Sequence, residues 1–302
     1  MKTEIQIGNL KLKNPVLVAS GTFGYGTEIR DMIDVSELGG IVTKSLSMNP
    51  RVGNAPPRIV ETASGMLNSI GLANVGVRSF IEDKLPHLRE LGTSIIANIA
   101  ANSIEEYCAV LSILEEQKGI DAYEINVSCP NVKEGGLSFG QRCDRTAEVT
   151  RSVRKLTNKP IIIKLTPNVT HISEFARAVA DEGADAVSLI NTVVGMAIDI
   201  HTRRPKLSTV TGGLSGPAVK PIALARIYEV SKAVSIPIIG MGGIMTADDA
   251  IEFFLAGSTA IQIGTANFVN PSAAIEIKNG IIAYCERYSV ESIEILKSSL
   301  IA

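Results

Sequence analysis

Cysteine is scarce in this sequence and poorly placed for clustering: Cys108, Cys129, Cys143 and Cys285 lie far apart and show no C-x-x-C spacing. Such a pattern encodes neither a zinc site nor an iron–sulfur motif, so no metal is expected. Histidine is rarer still. His87, His171 and His201 are scattered through loops and element boundaries without a metal spacing or triad pattern, and they read as surface or loop residues. Positive charge is not in excess, because 29 Lys and Arg stand against 31 Asp and Glu, which leaves no footprint for nucleic acid. No apolar run reaches membrane-spanning length, and the opening stretch from Met1 to Pro15 alternates polar and apolar residues where a signal peptide would be continuously apolar. These absences predict a cytoplasmic protein without membrane or nucleic-acid partners, and disulfides are not expected in that compartment. The lack of an obvious Ser/His/Asp set or paired carboxylates weighs against hydrolases.

What the sequence does contain is a repeated alternation. Eight short apolar, β-branched runs recur: Asn14 to Ser20, Gly39 to Ser45, Ser94 to Ile99, Ala122 to Ser128, Pro160 to Leu165, Ala186 to Asn191, Ile236 to Gly242 and Ala260 to Gly264. Near-continuous apolar runs fit strands buried on both faces of a parallel sheet. Helical periodicity lies between them, over Ser103 to Lys118, Asp144 to Thr157, Ile172 to Glu182, Pro217 to Ala233 and Ala247 to Ala256. Start signals accompany several: Asn102 or Ser103 before Glu105 and Glu106, Ser215 with Pro217, and Thr246 before Asp248 and Asp249. Eight βα units in 302 residues predict an α/β fold of the (β/α)8 TIM barrel type, one domain over 1–302, with an open doubly wound sheet as the structural alternative. Two connections exceed what the fold needs, Leu46 to Thr93 and Thr192 to Gly216, and they are expected to cover the C-terminal face.

The strand ends are conspicuously polar: Ser20-Gly21, Thr43-Lys44-Ser45, Asn98, Asn126 to Cys129, Lys164-Leu165-Thr166, Asn191-Thr192, Gly242-Gly243 and Gly264-Thr265. In a barrel this is where a site is built. Lys44 and Lys164 each end an apolar strand, where a buried ammonium is costly without an anion or hydrogen-bonding partner, although a solvated rim lysine is the competing reading. Two lysines beside amides suit an electron-rich heterocycle, and a cation stabilises the anionic form of a reduced flavin. The glycine turns Gly242-Gly243 and Gly264-Thr265 let backbone N–H groups approach a phosphate, or else serve only as tight βα turns. Cys129, in Asn126-Val127-Ser128-Cys129-Pro130-Asn131 ahead of a glycine-rich loop, has a free pKa of about 8.5, which allows base or nucleophile chemistry near neutrality. A lone Cys is otherwise a small buried hydrophobe. That is the reading adopted for Cys108 and Cys285, with Cys143 structural or merely exposed.

These residues also carry a family resemblance along nearly the whole length. Asn68-Ser69-Ile70-Gly71-Leu72, the Asn126 to Asn131 segment, Ile163-Lys164-Leu165-Thr166-Pro167-Asn168, Asn191-Thr192 and Gly240-Met241-Gly242-Gly243-Ile244 occur in order, and the sequence resembles class 1 dihydroorotate dehydrogenases. Cysteine at position 129 matches class 1, and the Thr43-Lys44-Ser45 to Pro57-Arg58 region and the Lys133 to Gly140 loop look like the NAD-linked subtype, type B. Ala73-Asn74-Val75 departs from the Gln-Asn-Pro common in relatives at that place.

The resemblance implies FMN held by Ser20, Lys44, Ser45, Asn98, Asn126, Lys164, Ile190, Gly216, Gly242, Gly243, Gly264 and Thr265. It implies dihydroorotate held by Lys44, Asn68, Ser69, Ile70, Gly71, Leu72, Asn126, Asn191 and Thr192, with Cys129 and Lys164 catalytic and Cys129 as the base. Orotate for pyrimidine (UMP) biosynthesis would result. With no cluster ligands and no G-x-G-x-x-G after a strand, electrons are expected to leave through something else, and the resemblance implies a partner subunit carrying FAD and a [2Fe-2S] cluster that passes them to NAD+, around a homodimer core within a heterotetramer. A dihydropyrimidine dehydrogenase acting on dihydrouracil is the nearest alternative, although the chain reaches Ala302 without a ferredoxin-like cysteine run. A colourless lyase or isomerase with Lys164 as Schiff-base amine, and a non-catalytic binding barrel, come from further classes.

Overall fold

The computed structural model describes residues 2–128, 139–297 and 299–301. Cys129 and the loop residues that follow it, to Ser138, lie outside them.

Eight parallel strands close a barrel: β1 (Val16–Val18), β2 (Gly40–Val42), β3 (Ser94–Ile99), β4 (Ala122–Asn126), β5 (Ile161–Lys164), β6 (Ala186–Leu189), β7 (Ile238–Met241) and β8 (Ala260–Ile263), each paired with its neighbours in sequence. The predicted runs hold the strands but overshoot them. Lys44, Asn191, Gly242 and Gly264 fall just past the last ladder residue, so they stand in the loops of the C-terminal face.

The helices α1 (Ile104–Glu115), α2 (Cys143–Arg154), α3 (Ile172–Asp181), α4 (Lys220–Ser231), α5 (Ala247–Leu255) and α6 (Ala273–Arg287) follow β3 to β8. Ser103 caps α1 by accepting from the Glu106 N–H, and Thr246 and Asp249 form a reciprocal capping box at α5. Ser215 is no cap. It ends an extended strand, and Pro217–Val219 makes a 3-10 turn before α4. The expected eight βα units are likewise incomplete: β1 reaches β2 through only a 3-10 turn, Val35–Glu37, among the described elements.

Strand periodicity sorts the interior. Leu17, Val42, Ile96, Ala122, Ile162, Ala186, Ile239 and Ala260 point inward as one apolar floor, sealed from below by Ile7 and Leu12 of the hairpin Ile5–Ile7/Leu10–Leu12. The residues between them face the helices and join the larger outer core with Tyr107, Phe253 and Phe254.

The two long connections do more than cover the face. Val193–Met196, Thr211–Ser215, Gly65–Asn68 and Ile59–Thr62 pair in that order as an antiparallel sheet, with Gly213 opposite Asn68. Loops from β2 and β6 are thereby locked to each other.

Candidate functional site

Two residues beyond the floor, period two brings the same strand face to Lys44, Asn98, Glu124, Lys164, Ser188 and Gln262. Ala19 and Met241 complete this layer, which is polar at six of its eight positions where the one beneath it is entirely apolar. At its centre Glu124 is fully buried. One carboxylate oxygen accepts from Ser188 Oγ at 2.8 Å and Gln262 Nε2 at 2.7 Å. The other accepts from Asn98 Nδ2 at 2.5 Å and lies 3.7 Å from Lys164 Nζ. A carboxylate only accepts, so both amides present their nitrogens to it, and the oxygens Asn98 Oδ1 and Gln262 Oε1 are left buried without a partner.

Lys44 differs. Among the described residues no hydrogen bond or ion pair reaches its ammonium, and burial, aided by the Arg58 charge, lowers its pKa from the usual lysine value. A half-buried cation without an anion is what an anionic ligand would relieve.

The register sets Asn126 beside Lys164, and Asn191 Nδ2 approaches Asn126 Oδ1 at 3.4 Å. Thr192 packs on Gly213, whose carbonyl accepts from Asn68 Nδ2 at 3.3 Å. Four of the predicted substrate residues, Asn68, Asn126, Asn191 and Thr192, are thus brought together. Ser69 to Leu72 are tied elsewhere: Asn54 donates to the Ser69 carbonyl and hydroxyl, the Asn54 N–H meets the Ile70 carbonyl, and Leu72 accepts from Asn74. None of these hydrogen bonds runs to the strand ends.

The predicted phosphate corner also converges. A Cβ on Gly243 would lie 2.8 Å from the Gly216 carbonyl, one on Gly242 would lie 3.2 Å from Ile190, and Thr265 Oγ1 donates to Ser215 Oγ at 2.9 Å. Gly21 and Gly264 instead border open space, since a Cβ on the first meets nothing within 4 Å and one on the second nothing nearer than 3.7 Å. Ser45 is buried and Ser20 half-buried beside them.

The dihydroorotate dehydrogenase family model matches residues 2–284. The chain belongs to the dihydroorotate dehydrogenase family. It is 55% identical over 300 residues to a protein of Caldicellulosiruptor bescii named dihydroorotate dehydrogenase B (NAD(+)), catalytic subunit, covering 99% of each chain. Proteins of the same name from Geotalea uraniireducens and Porphyromonas gingivalis are 52% and 51% identical, covering 98% and 100% of this chain and 97% and 98% of theirs.

Several residues of this family member escaped the sequence reading as site components. Glu124 is one, although a lone charge between Tyr123 and Ile125 in an apolar strand was a usable signal. Asn168 is another: its side chain donates to Thr166 Oγ1 and the Thr192 carbonyl and accepts from the Val194 N–H, pinning the β6 loop. Of the other cysteines, Cys285 is buried as expected, and Cys108 on α1 and Cys143 at the start of α2 are half-buried and packed against the outer core. All three histidines are exposed. Among the described residues no group of His, Cys, Asp and Glu could hold a metal, and no helix is long and apolar enough to cross a membrane.

Proposed function

We propose that this chain is the FMN-binding catalytic subunit of a cytoplasmic, NAD-linked dihydroorotate dehydrogenase, one barrel domain that oxidises dihydroorotate to orotate in pyrimidine biosynthesis. The observation that carries the reading is identity of 51–55% along the whole chain to relatives of that name. The residues present fit a flavin mononucleotide. Among the described residues the buried Asn98 Oδ1 has no donor and Lys44 meets no anion, and the glycines at 21 and 264 leave room at the face. Lys44, Asn98, Asn126 and Lys164 would hold the ring system, and Ile190, Gly216, Gly242, Gly243, Gly264 and Thr265 the ribityl phosphate arm, with Ser20 and Ser45 beside them.

When bound, FMN supplies the acceptor for the hydride from C6 of the substrate. Lys44, Asn68, Asn126, Asn191 and Thr192 orient the dihydroorotate ring and its carboxylate, and Ser69 to Leu72 frame the loop that carries Asn68. Cys129 takes the C5 proton, next to the ring carbonyl. A partner subunit with FAD and a [2Fe-2S] cluster would supply the route to NAD+, in a heterotetramer around a homodimer of this chain.

The test is anaerobic mixing of the purified yellow chain with dihydroorotate and, separately, dihydrouracil, following the oxidised flavin band. Bleaching by dihydroorotate alone is expected. Bleaching by dihydrouracil, or a colourless protein, overturns the reading.

A further inference from the structure

We propose that Glu124 is a positioning residue that compensates the Lys164 charge and thereby sets the reduction potential of the bound flavin; this rests on the FMN reading above. The barrel has no structural need of a carboxylate at this depth, since the floor beneath is closed by apolar side chains alone. Burying one is costly, and the cost is recovered only where every acceptor position is met. Here Ser188, Gln262 and Asn98 occupy three positions and the Lys164 ammonium faces the fourth, matching the roughly four lone-pair sites of a carboxylate.

The two lysines of the site are consequently unequal. Lys164 shares its charge with Glu124, whereas among the described residues the charge acting on Lys44 is that of Arg58, a like charge. A reduced flavin carrying negative charge is stabilised by each uncompensated cation near it. Glu124 therefore holds the count at one in this layer. Glu124→Gln keeps the size of the side chain and an oxygen for Lys164 and Asn98, while Gln262 can turn its free oxygen toward the new amide. What it removes is the charge.

The experiment is a redox titration of bound FMN against a reference dye in the wild type, E124Q and the double variant E124Q/K164M. E124Q should favour reduced FMN at least tenfold, a rise of about 30 mV for a two-electron couple. The double variant, which lacks the Lys164 charge that E124Q leaves uncompensated, should fall below E124Q by at least that interval. An unchanged or lowered potential in E124Q overturns the proposal. So does a double variant more than tenfold harder to reduce than the wild type, which would mean that Lys164 acts uncompensated. Removing one partner of a buried pair can unfold a protein whereas replacing both is tolerated, so the double variant carries the test if E124Q does not fold. A wild-type chain that fails to bind FMN defeats the functional reading instead, and the two failures are distinct.

Discussion

Gly65 and Gly216 meet backbone to backbone: a Cβ built on Gly216 would lie 2.7 Å from Gly65 Cα, and one on Gly65 would lie 2.0 Å from the Ser215 carbonyl oxygen. Both have positive φ, 148° and 95°. Their contact is the seam between loops that leave β2 and β6, and it places Asn68 over Gly213 and Thr192.

Gly65→Ala should force that seam apart, because backbone atoms cannot yield as a flexible side chain would. A destabilisation of roughly 1–3 kcal/mol is expected from overpacking at a position that also disfavours an L side chain. Orotate affinity should fall with it, since Asn68 and Thr192 move. Thermal unfolding and an orotate titration on the same sample check both. A variant with unchanged orotate affinity would separate the seam from the site.

Lys44 predicts a trade between stability and binding. Burial holds its pKa below the usual lysine value, so in the window between the native and unfolded values the unfolded chain binds more protons and stability rises with pH. The penalty is fully present below the native pKa and gone above the unfolded one. Lys44→Met should therefore raise the Tm of the FMN-free protein at pH 7, with the gain shrinking as pH climbs through that window. Orotate binding should weaken at least tenfold. A variant less stable than wild type at pH 7 would show that Lys44 is not strained by its surroundings.

The barrel was legible because two-sided burial writes each strand as an uninterrupted apolar run, and the polar residues closing those runs, Lys44, Asn98, Asn126 and Lys164, mark the C-terminal face where the candidate site is proposed. The antiparallel sheet over the face was not. Its central ladder joins residues about 145 positions apart, such as Asn68 and Gly213, and Thr211 to Ser215 has two glycines and little β-branching. No local pattern encodes such pairing. Glu124 is hidden for a different reason: it lies in the middle of β4 and not at a strand end, although an inward charge there needs a partner as surely as one at the mouth.

At α5 the sequence signal and the structure coincide, which gives a control distant from the ring site. Thr246 Oγ1 accepts from the Asp249 N–H at 3.2 Å, and Asp249 accepts from the N–H groups of Met245 and Thr246 at 2.9 Å each. Thr246→Ala should cost about 1 kcal/mol. For a chain of this size that is a Tm drop of roughly 2 °C. Calorimetry decides it, and a loss several times larger would mean that the cap also supports the Gly242-Gly243 turn.

Cys129 bears the chemistry in the proposed mechanism, and its replacement separates binding from proton removal. Cys129→Ala should retain the yellow flavin, because the groups read as holding FMN lie on the strand ends and the glycine turns. Flavin reduction by dihydroorotate should slow on the order of 10²–10⁴-fold, the usual contribution of a positioned base. Wild-type reduction should quicken as pH rises toward the thiol pKa, about 8.5 for a free Cys, and level off beyond it. Cys129→Ala should lose that dependence. Stopped-flow reduction across pH measures both, and a variant that keeps the wild-type rate and profile would assign the base elsewhere.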